Sequence, residues 1–422
     1  MRWLSRLFFV VALSVVSAAS CSDAAGRLVI VGGALSNAQD DIFEAFLVSD
    51  TPREALQVAI IPVASSKPTF YGEAFRATLV ARGLRVENIH ILPLAVRDDR
   101  TSANVDESTW AQNGNDPELV AQIEAADLIW FTGGDQSRIT QVLGDAAKPS
   151  TVLTALYAHL ETGGMIGGTS AGAAIMSPRM LIGGSSAGAL SMGIGSTESV
   201  NQEDGSLYLG AGLGFLPDSL IDQHFDAKAR LGRLILAGLE PGAARVPAFG
   251  IDENTALVVD LAEATAEVAG AGQVTYLDFA ETEIDARADF APPYRIENIQ
   301  LSSLGAGDAI DLKTGAIRPA ADKEPTVGRE YYQIEDPESS GVLSGFGDLQ
   351  DLISKKLIDN KSADRAVSYL ILPEQDFSYQ LEFSRTETSR GYWTYRQGQV
   401  DHYTVVDLRL DIRPVSVSVN PL

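Results

Sequence analysis

The sequence predicts an α/β fold, a parallel sheet with helices on both faces, followed by a β-rich C-terminal extension. Short apolar runs alternate with amphipathic stretches from Arg27 onward, the rhythm of buried parallel strands joined by helical crossovers. Glycine pairs stand at 32–33, 133–134 and 167–168, where strands are expected to end. After about residue 315 the texture turns polar and then strand-like.

In chain order, Arg2 and Arg6 precede a mostly apolar run at 7–19, then small residues and Cys21. This is the layout of a secretory signal peptide over residues 1–20. Thirteen such residues are too few to cross a hydrocarbon core of about 30 Å as a helix, so cleavage is expected rather than a permanent anchor. Ala18-Ala19-Ser20-Cys21 also resembles a lipobox, which makes Cys21 a lipidation candidate, although Ala18 stands where a larger aliphatic residue is usual. The protein is therefore expected to be exported, either secreted or periplasmic or lipid-anchored at a bacterial envelope. Cys21 is the only cysteine, so no intramolecular disulfide can form and the core must hold the fold.

Residues 24–315 read as one catalytic domain. Its strands are the apolar runs at 28–31, 58–63, 89–94 and 128–131; helical patterns at 40–48, 71–82 and 117–126 have the length of crossovers. In such sheets the ligand crevice lies beyond the carboxyl ends of the strands. Residues 316–422 form the extension, with a helical pattern at 349–358. There Val406, Leu408, Leu410 and Ile412 alternate with polar residues, as do Val415, Val417 and Val419, the period of half-buried strands. The extension is expected to cover the catalytic domain rather than to bind independently.

The 422 residues carry a formal charge of −24, with 56 acidic against 32 basic side chains. That balance argues against binding nucleic acid or anionic lipid and would attract a cationic substrate, though it also serves solubility. The chain lacks H-E-x-x-H, cysteine clusters and a phosphate loop, so neither metal nor other cofactor is expected.

The most informative stretch contains Gly168-Thr169-Ser170-Ala171-Gly172. This is the G-x-S-x-G pattern, in which small neighbours permit the sharp strand-to-helix turn that projects a nucleophilic hydroxyl. Gly184-Ser185-Ser186-Ala187-Gly188 matches as well. Ser170 is preferred because an uninterrupted apolar helix can follow it over 171–176, whereas the residues after Ser186 read as a glycine-broken loop. The N–H of Ala171, opening that helix, is the first oxyanion-hole candidate.

A serine nucleophile needs a base, and there are four histidines. His90 lies in an apolar strand, His159 late in a helical pattern and His402 in the extension, all better suited to structural or surface roles. His224 follows Leu220-Ile221-Asp222-Gln223, a short apolar strand reaching a polar cluster that continues to Arg230 and Arg233. Glu253 is the expected orienter of its imidazole, at a turn before an apolar strand; Asp252 is assigned to capping that turn and Asp222 is the fallback.

Four blocks now stand in order: Phe131-Thr132-Gly133-Gly134-Asp135-Gln136, residues 168–173, Asp222 to Phe225 with Arg230-Leu231-Gly232-Arg233, and residues 250–255. Together they resemble the cyanophycinases over roughly residues 27–312, leaving the tail outside. The resemblance implies a flavodoxin-like fold near the class I glutamine amidotransferases, kinship with the dipeptidase E group, and a triad of Ser170, His224 and Glu253. It implies an oxyanion hole completed by Gly134 or Gly133, and substrate-binding positions at Gln136, Asp222, Gln223, Arg230 and Arg233. It further implies cyanophycin as substrate, β-Asp-Arg dipeptides as products, and a homodimer. On this reading Arg230 and Arg233 clamp aspartate carboxylates and Asp222 meets the arginine head. The alternatives are an aspartyl dipeptidase or esterase with the same triad, or an inactive binder of a cationic polymer.

Overall fold

The structure is a computed structural model that describes residues 26–103, 105–195, 205–343, 348–396 and 400–418. The expected signal peptide, Cys21 and Val419 lie outside the described residues.

Two large sheets organise the chain. In the first, the order across the parallel part is Ile89–Ile91, Val58–Ile61, Leu128–Phe131, Met165–Thr169, Arg27–Val31. Counted from Val58–Ile61, the first four places follow the 2-1-3-4 order of a doubly wound sheet, and the chain's first strand takes the fifth. Its strands alternate apolar residues to two cores. Val29, Val31, Val58, Ile60 and Trp130 face the helices Asp40–Phe46 and Pro68–Ala81, while Leu28, Ile30, Ile61, Ile129 and Phe131 face Pro117–Glu124 and Thr151–Glu161. Helices therefore cover both faces, which is the α/β class expected. Four antiparallel strands, from Thr255–Asp260 to Ile317–Arg318, widen this sheet beyond Arg27–Val31.

The second sheet begins with the parallel trio Arg179–Gly183, Leu220–Asp222 and Ala248–Ile251. It continues antiparallel through Gln273–Asp278 and Ala291–Gly305 into the extension. There Val400–Val415 pairs with Ala291–Gly305 on one side and with Ser378–Ser384 on the other. The extension is thus β-rich and shares a sheet and a core with the preceding domain; Leu277, Ile299 and Leu301 are packed in one cluster with Leu381, Leu408 and Leu410. A fully buried ion pair also crosses from one part to the other, Lys323 Nζ lying 2.8 Å from Asp308 Oδ2, with Thr404 donating to the same carboxylate at 2.6 Å.

Local differences from expectation have tertiary causes. The strand runs expected at 58–63 and 89–94 are only four and three residues long as ladders, because the chain turns off the sheet edge into loops that remain buried. The helical pattern at 349–358 is an α-helix, Asp348–Ile353, that loosens into a π-turn, Ser354–Ile358. The alternation at 406–412 lies inside one long strand, Val400–Val415, whereas the alternation expected to follow it stops at Val415: Val417 is outside the ladder and 48% exposed.

Candidate active site

Ser170 ends the strand Met165–Thr169 of the first sheet. Its backbone sits at φ 55°, ψ −108°, a strained conformation for a residue with a side chain, of the kind found where a hydroxyl is forced out of a turn. The flanking glycines are needed for space: a Cβ on Gly168 would lie 2.5 Å from Gly172 O, and one on Gly172 2.7 Å from Phe131 O. The helix that follows is shorter than expected, Ala171–Ala174, after which the chain stays buried through Met176.

The rival serine needs a correction. Ser186 opens a seven-residue helix, Ser186–Met192, instead of a broken loop. Its hydroxyl is buried and consumed, donating to Ala229 O at 2.5 Å and accepting from Gly232 N–H at 2.9 Å. Helix length therefore does not separate the two candidates, whereas accessibility does.

His224 and Glu253 come from the other sheet. His224 follows Leu220–Asp222, Glu253 follows the adjacent parallel strand Ala248–Ile251, and just beyond Glu253 the chain crosses back to the first sheet as Thr255–Asp260. Three successive carbonyls at the tip of Arg27–Val31 tie these segments together. Val31 O accepts from Ser170 N–H at 3.0 Å, Gly32 O from His224 N–H at 2.6 Å, and Gly33 O from Asn254 N–H at 2.9 Å. In this frame His224 Nε2 lies 2.9 Å from Ser170 Oγ and His224 Nδ1 lies 2.6 Å from Glu253 Oε1. With Nδ1–H donating to the carboxylate, Nε2 is left as an acceptor for the serine proton.

Burial lowers the His224 pKa from its ordinary 6.5, against the raising effect of the Glu253 hydrogen bond, and Lys228 and Arg230 push it the same way as burial. The imidazole is accordingly held neutral, the state a general base requires. Asp252, assigned from sequence to the turn, accepts from Asp226 N–H at 3.1 Å and Gln273 N–H at 2.9 Å. It braces the Glu253 turn against the His224 loop. The other histidines lie elsewhere: His159 is buried against Met165 O, and His90 is exposed on an edge strand.

A cavity of about 480 Å³ opens beside Ser170 and His224. Ser65 and Ser66 follow one strand at the point where the sheet order reverses, and Gly133 and Gly134 follow the other, so the cavity occupies the switch-point crevice of a doubly wound sheet. Gly133 and Gly134 line it together with Ser170. Ala171, as the first helical residue, has an N–H without an intrahelical acceptor. Tyr71, Phe75, Trp130 and Asn37 also line it; the sequence does not single them out, because Tyr71 and Phe75 read only as members of a crossover helix. Among the described residues no cluster of His, Cys, Asp and Glu is arranged to hold a metal ion.

The expected substrate-binding residues gather elsewhere, as a buried polar cluster. Arg233 grips Asp222 through two bonds of 2.7 and 2.5 Å and donates to Gly184 O at 2.7 Å; the two residues are 2% and 1% exposed. Arg230 donates to Gln223 O at 2.6 Å, and Gln136 donates to Leu181 O at 2.9 Å. Gln223 Oε1 lies 3.5 Å from Ser170 Oγ, the one member in direct reach of the nucleophile. Arg233 and Asp222, expected to present opposite charges to a substrate, satisfy each other in this structure, in a dry setting where separating them is costly.

Residues 28–266 match the family described as peptidase family S51. The chain is 31% identical over 265 residues to a cyanophycinase of Synechococcus elongatus, covering 62% of this chain and 71% of that protein. It is 30% identical over 291 residues to a cyanophycinase of Geminocystis herdmanii, covering 68% of this chain and 94% of that one. The solved structure of a peptidase from an acI-B1 Actinobacterium superposes with a TM-score of 0.45 at 19% identity, over 69% of this chain and 98% of that one, too loosely to bear on the site. By its matched residues and these relatives, the chain belongs to peptidase family S51 and is a serine-type peptidase.

Proposed function

We propose that the protein is an exported exopeptidase that hydrolyses cyanophycin, the poly-aspartate bearing an arginine on each side-chain carboxyl, to β-Asp-Arg dipeptides through an acyl-enzyme on Ser170. The observation that carries the chemistry is the relay of 2.9 Å from Ser170 to His224 and 2.6 Å from His224 to Glu253; the substrate rests on the cyanophycinases at 30–31% identity. His224 takes the Ser170 proton as the hydroxyl attacks, and Glu253 holds the imidazolium that forms. The oxyanion rests on N–H groups of Ala171 and Gly134, or Gly133 in its place. His224 then returns the proton to the leaving amine, and water, deprotonated by the same imidazole, releases the acyl group.

The test is mass spectrometry of soluble products from insoluble cyanophycin, run beside the Ser170→Ala protein. Release of β-Asp-Arg by the wild type alone is expected. Cleavage of α-aspartyl dipeptides without that product would replace the polymer by an aspartyl dipeptidase substrate, and full activity of Ser170→Ala would remove the nucleophile. Export rests on the apolar run at 7–19 and Cys21; a Cys21→Ser protein that still fractionates with membranes would count against lipidation. The homodimer follows from the resemblance alone, and light scattering of the purified protein decides it.

A further inference from the structure

Phe43, Tyr71, Phe75 and Trp130 give the Ser170 cavity an aromatic wall, and part of it is open to solvent. Tyr71, on the helix Pro68–Ala81, lines the cavity while remaining 51% exposed, and its neighbour Phe70 is 57% exposed. Two adjacent exposed aromatics, one of them lining a catalytic cavity, contribute little to the core and call for a reason. Their geometry is ordered. The Phe70 and Tyr71 rings meet edge to face at 5.2 Å and 88°. Deeper in, Phe75 stacks on buried Trp130 at 4.5 Å and 13°.

The same wall already shows which chemical group it accepts. The guanidinium of Arg82 lies 3.7 Å over the Phe43 ring, held there by a 2.6 Å bond to Asn37 O; Phe43 and Asn37 both line the cavity. Lys67 stands 5.8 Å from the centre of Phe70, so the Phe70 ring has a cation of its own and Tyr71 offers the further aromatic face at the mouth. Across a chain of net charge −24, long-range attraction favours cations at such a surface.

We propose that Tyr71 is a binding platform for a guanidinium side chain of the substrate, stacking the arginine of a polymer unit next to the one being cleaved while Phe70 fixes the ring edge-on. The inference rests on the reading of the substrate as an arginine-bearing polymer, and it assigns a subsite to a side chain that takes no part in the relay. A planar guanidinium stacks on an aromatic face better than an ammonium does, and a repeating polymer would present one such group per unit.

The test separates the platform from the reaction. Hexa-arginine is titrated into the full-length Ser170→Ala protein at about 0.5 M salt, where unspecific charge attraction is screened. A Tyr71→Ala exchange in that background is expected to weaken binding about 3- to 30-fold, the span of a cation–π contact, and Tyr71→Phe to restore it. With active enzyme, Tyr71→Ala should raise KM for cyanophycin by a similar factor with a much smaller change in kcat. Unchanged hexa-arginine affinity on Tyr71→Ala, or equal loss on Tyr71→Phe, overturns the proposal. Failure of the wild type to release β-Asp-Arg would instead overturn the assigned function, while the hexa-arginine titration still decides the platform.

Discussion

Replacing Gly33 by alanine should disable the relay without touching any of its three side chains. Gly33 has φ +113°, and a Cβ placed on it would lie 2.5 Å from His224 Nε2. Ordinary carbon–nitrogen contact needs about 3.5 Å, so the imidazole must retreat by about 1 Å. A shift of that size takes the imidazole out of line with the Ser170 hydroxyl, now 2.9 Å from it, and such bonds weaken steeply once misaligned. A displacement of that size at a reacting group costs on the order of 100-fold in rate, equivalent to about 2.7 kcal/mol of transition-state stabilisation. Positive φ adds backbone strain of about 1 kcal/mol that has nothing to do with catalysis. Gly83 supplies the control, with φ +97° and no atom within 4 Å of the point a Cβ would occupy. Gly83→Ala should lose a similar amount of thermal stability and keep its activity. The assay is kcat on a soluble β-Asp-Arg oligomer alongside Tm for both variants. A Gly33→Ala enzyme within about threefold of wild-type kcat would refute the reasoning, because the ring would then have room that the structure denies it.

Activity should fall as pH drops through a value below the ordinary 6.5 of histidine, since burial lowers the His224 pKa and only the neutral imidazole is a base; a kcat/KM profile with its acid limb above 6.5 contradicts this. The stability linkage of His224 has the same sense, its contribution being present above 6.5 and lost as pH falls through the lower folded value. The neighbouring carboxyls act oppositely. Burial, with each carboxylate repelling its neighbours, raises Asp252 to about 7 and Asp226 to about 6 from 3.8. Their contribution is complete below 3.8 and lost as pH rises through 6 to 7, so Tm should decline from about pH 4 to about pH 7, and Asp226→Asn should flatten that decline. Arg233→Leu takes the nearer guanidinium from the Asp222 carboxylate at 1% exposure and leaves it Arg230 at 3.5 Å, so it should destabilise by about 3 kcal/mol, the lower end for a broken buried pair; an unchanged denaturation midpoint with a raised KM would return Arg233 to the substrate-binding role. Truncation after residue 315 removes Val400–Val415 and leaves the long strand Ala291–Gly305 with an open apolar edge, so the product should aggregate; a soluble monomer of unchanged Tm would show the extension to be dispensable.

How much of this was legible in the linear chain differs from element to element. The run Leu128–Phe131 announced its strand to the residue, because a segment buried on both faces must be apolar throughout. The G-x-S-x-G pattern located the strained turn at Ser170, because close packing of Gly168 on Gly172 excludes side chains there. It could not separate Ser170 from Ser186, since the helical reasoning that favoured the former runs the other way in the folded chain. The pairing of Arg233 with Asp222 was not legible from residue type, because the identity of a charged residue carries no information about whether another charge is already beside it.

What the sequence determined by itself is local in origin: the alternation of apolar runs, the bends that only glycine permits, and the presence of an acid, an imidazole and a hydroxyl. The tertiary structure alone decided that a hydroxyl on one sheet meets an imidazole and a carboxylate on another. Their spacing depends on Val31, Gly32 and Gly33 offering successive carbonyls to three segments as far apart in the chain as residues 170 and 254. Contacts across such separations depend on how the two sheets pack, and packing is a property of the whole chain that no short window of it contains.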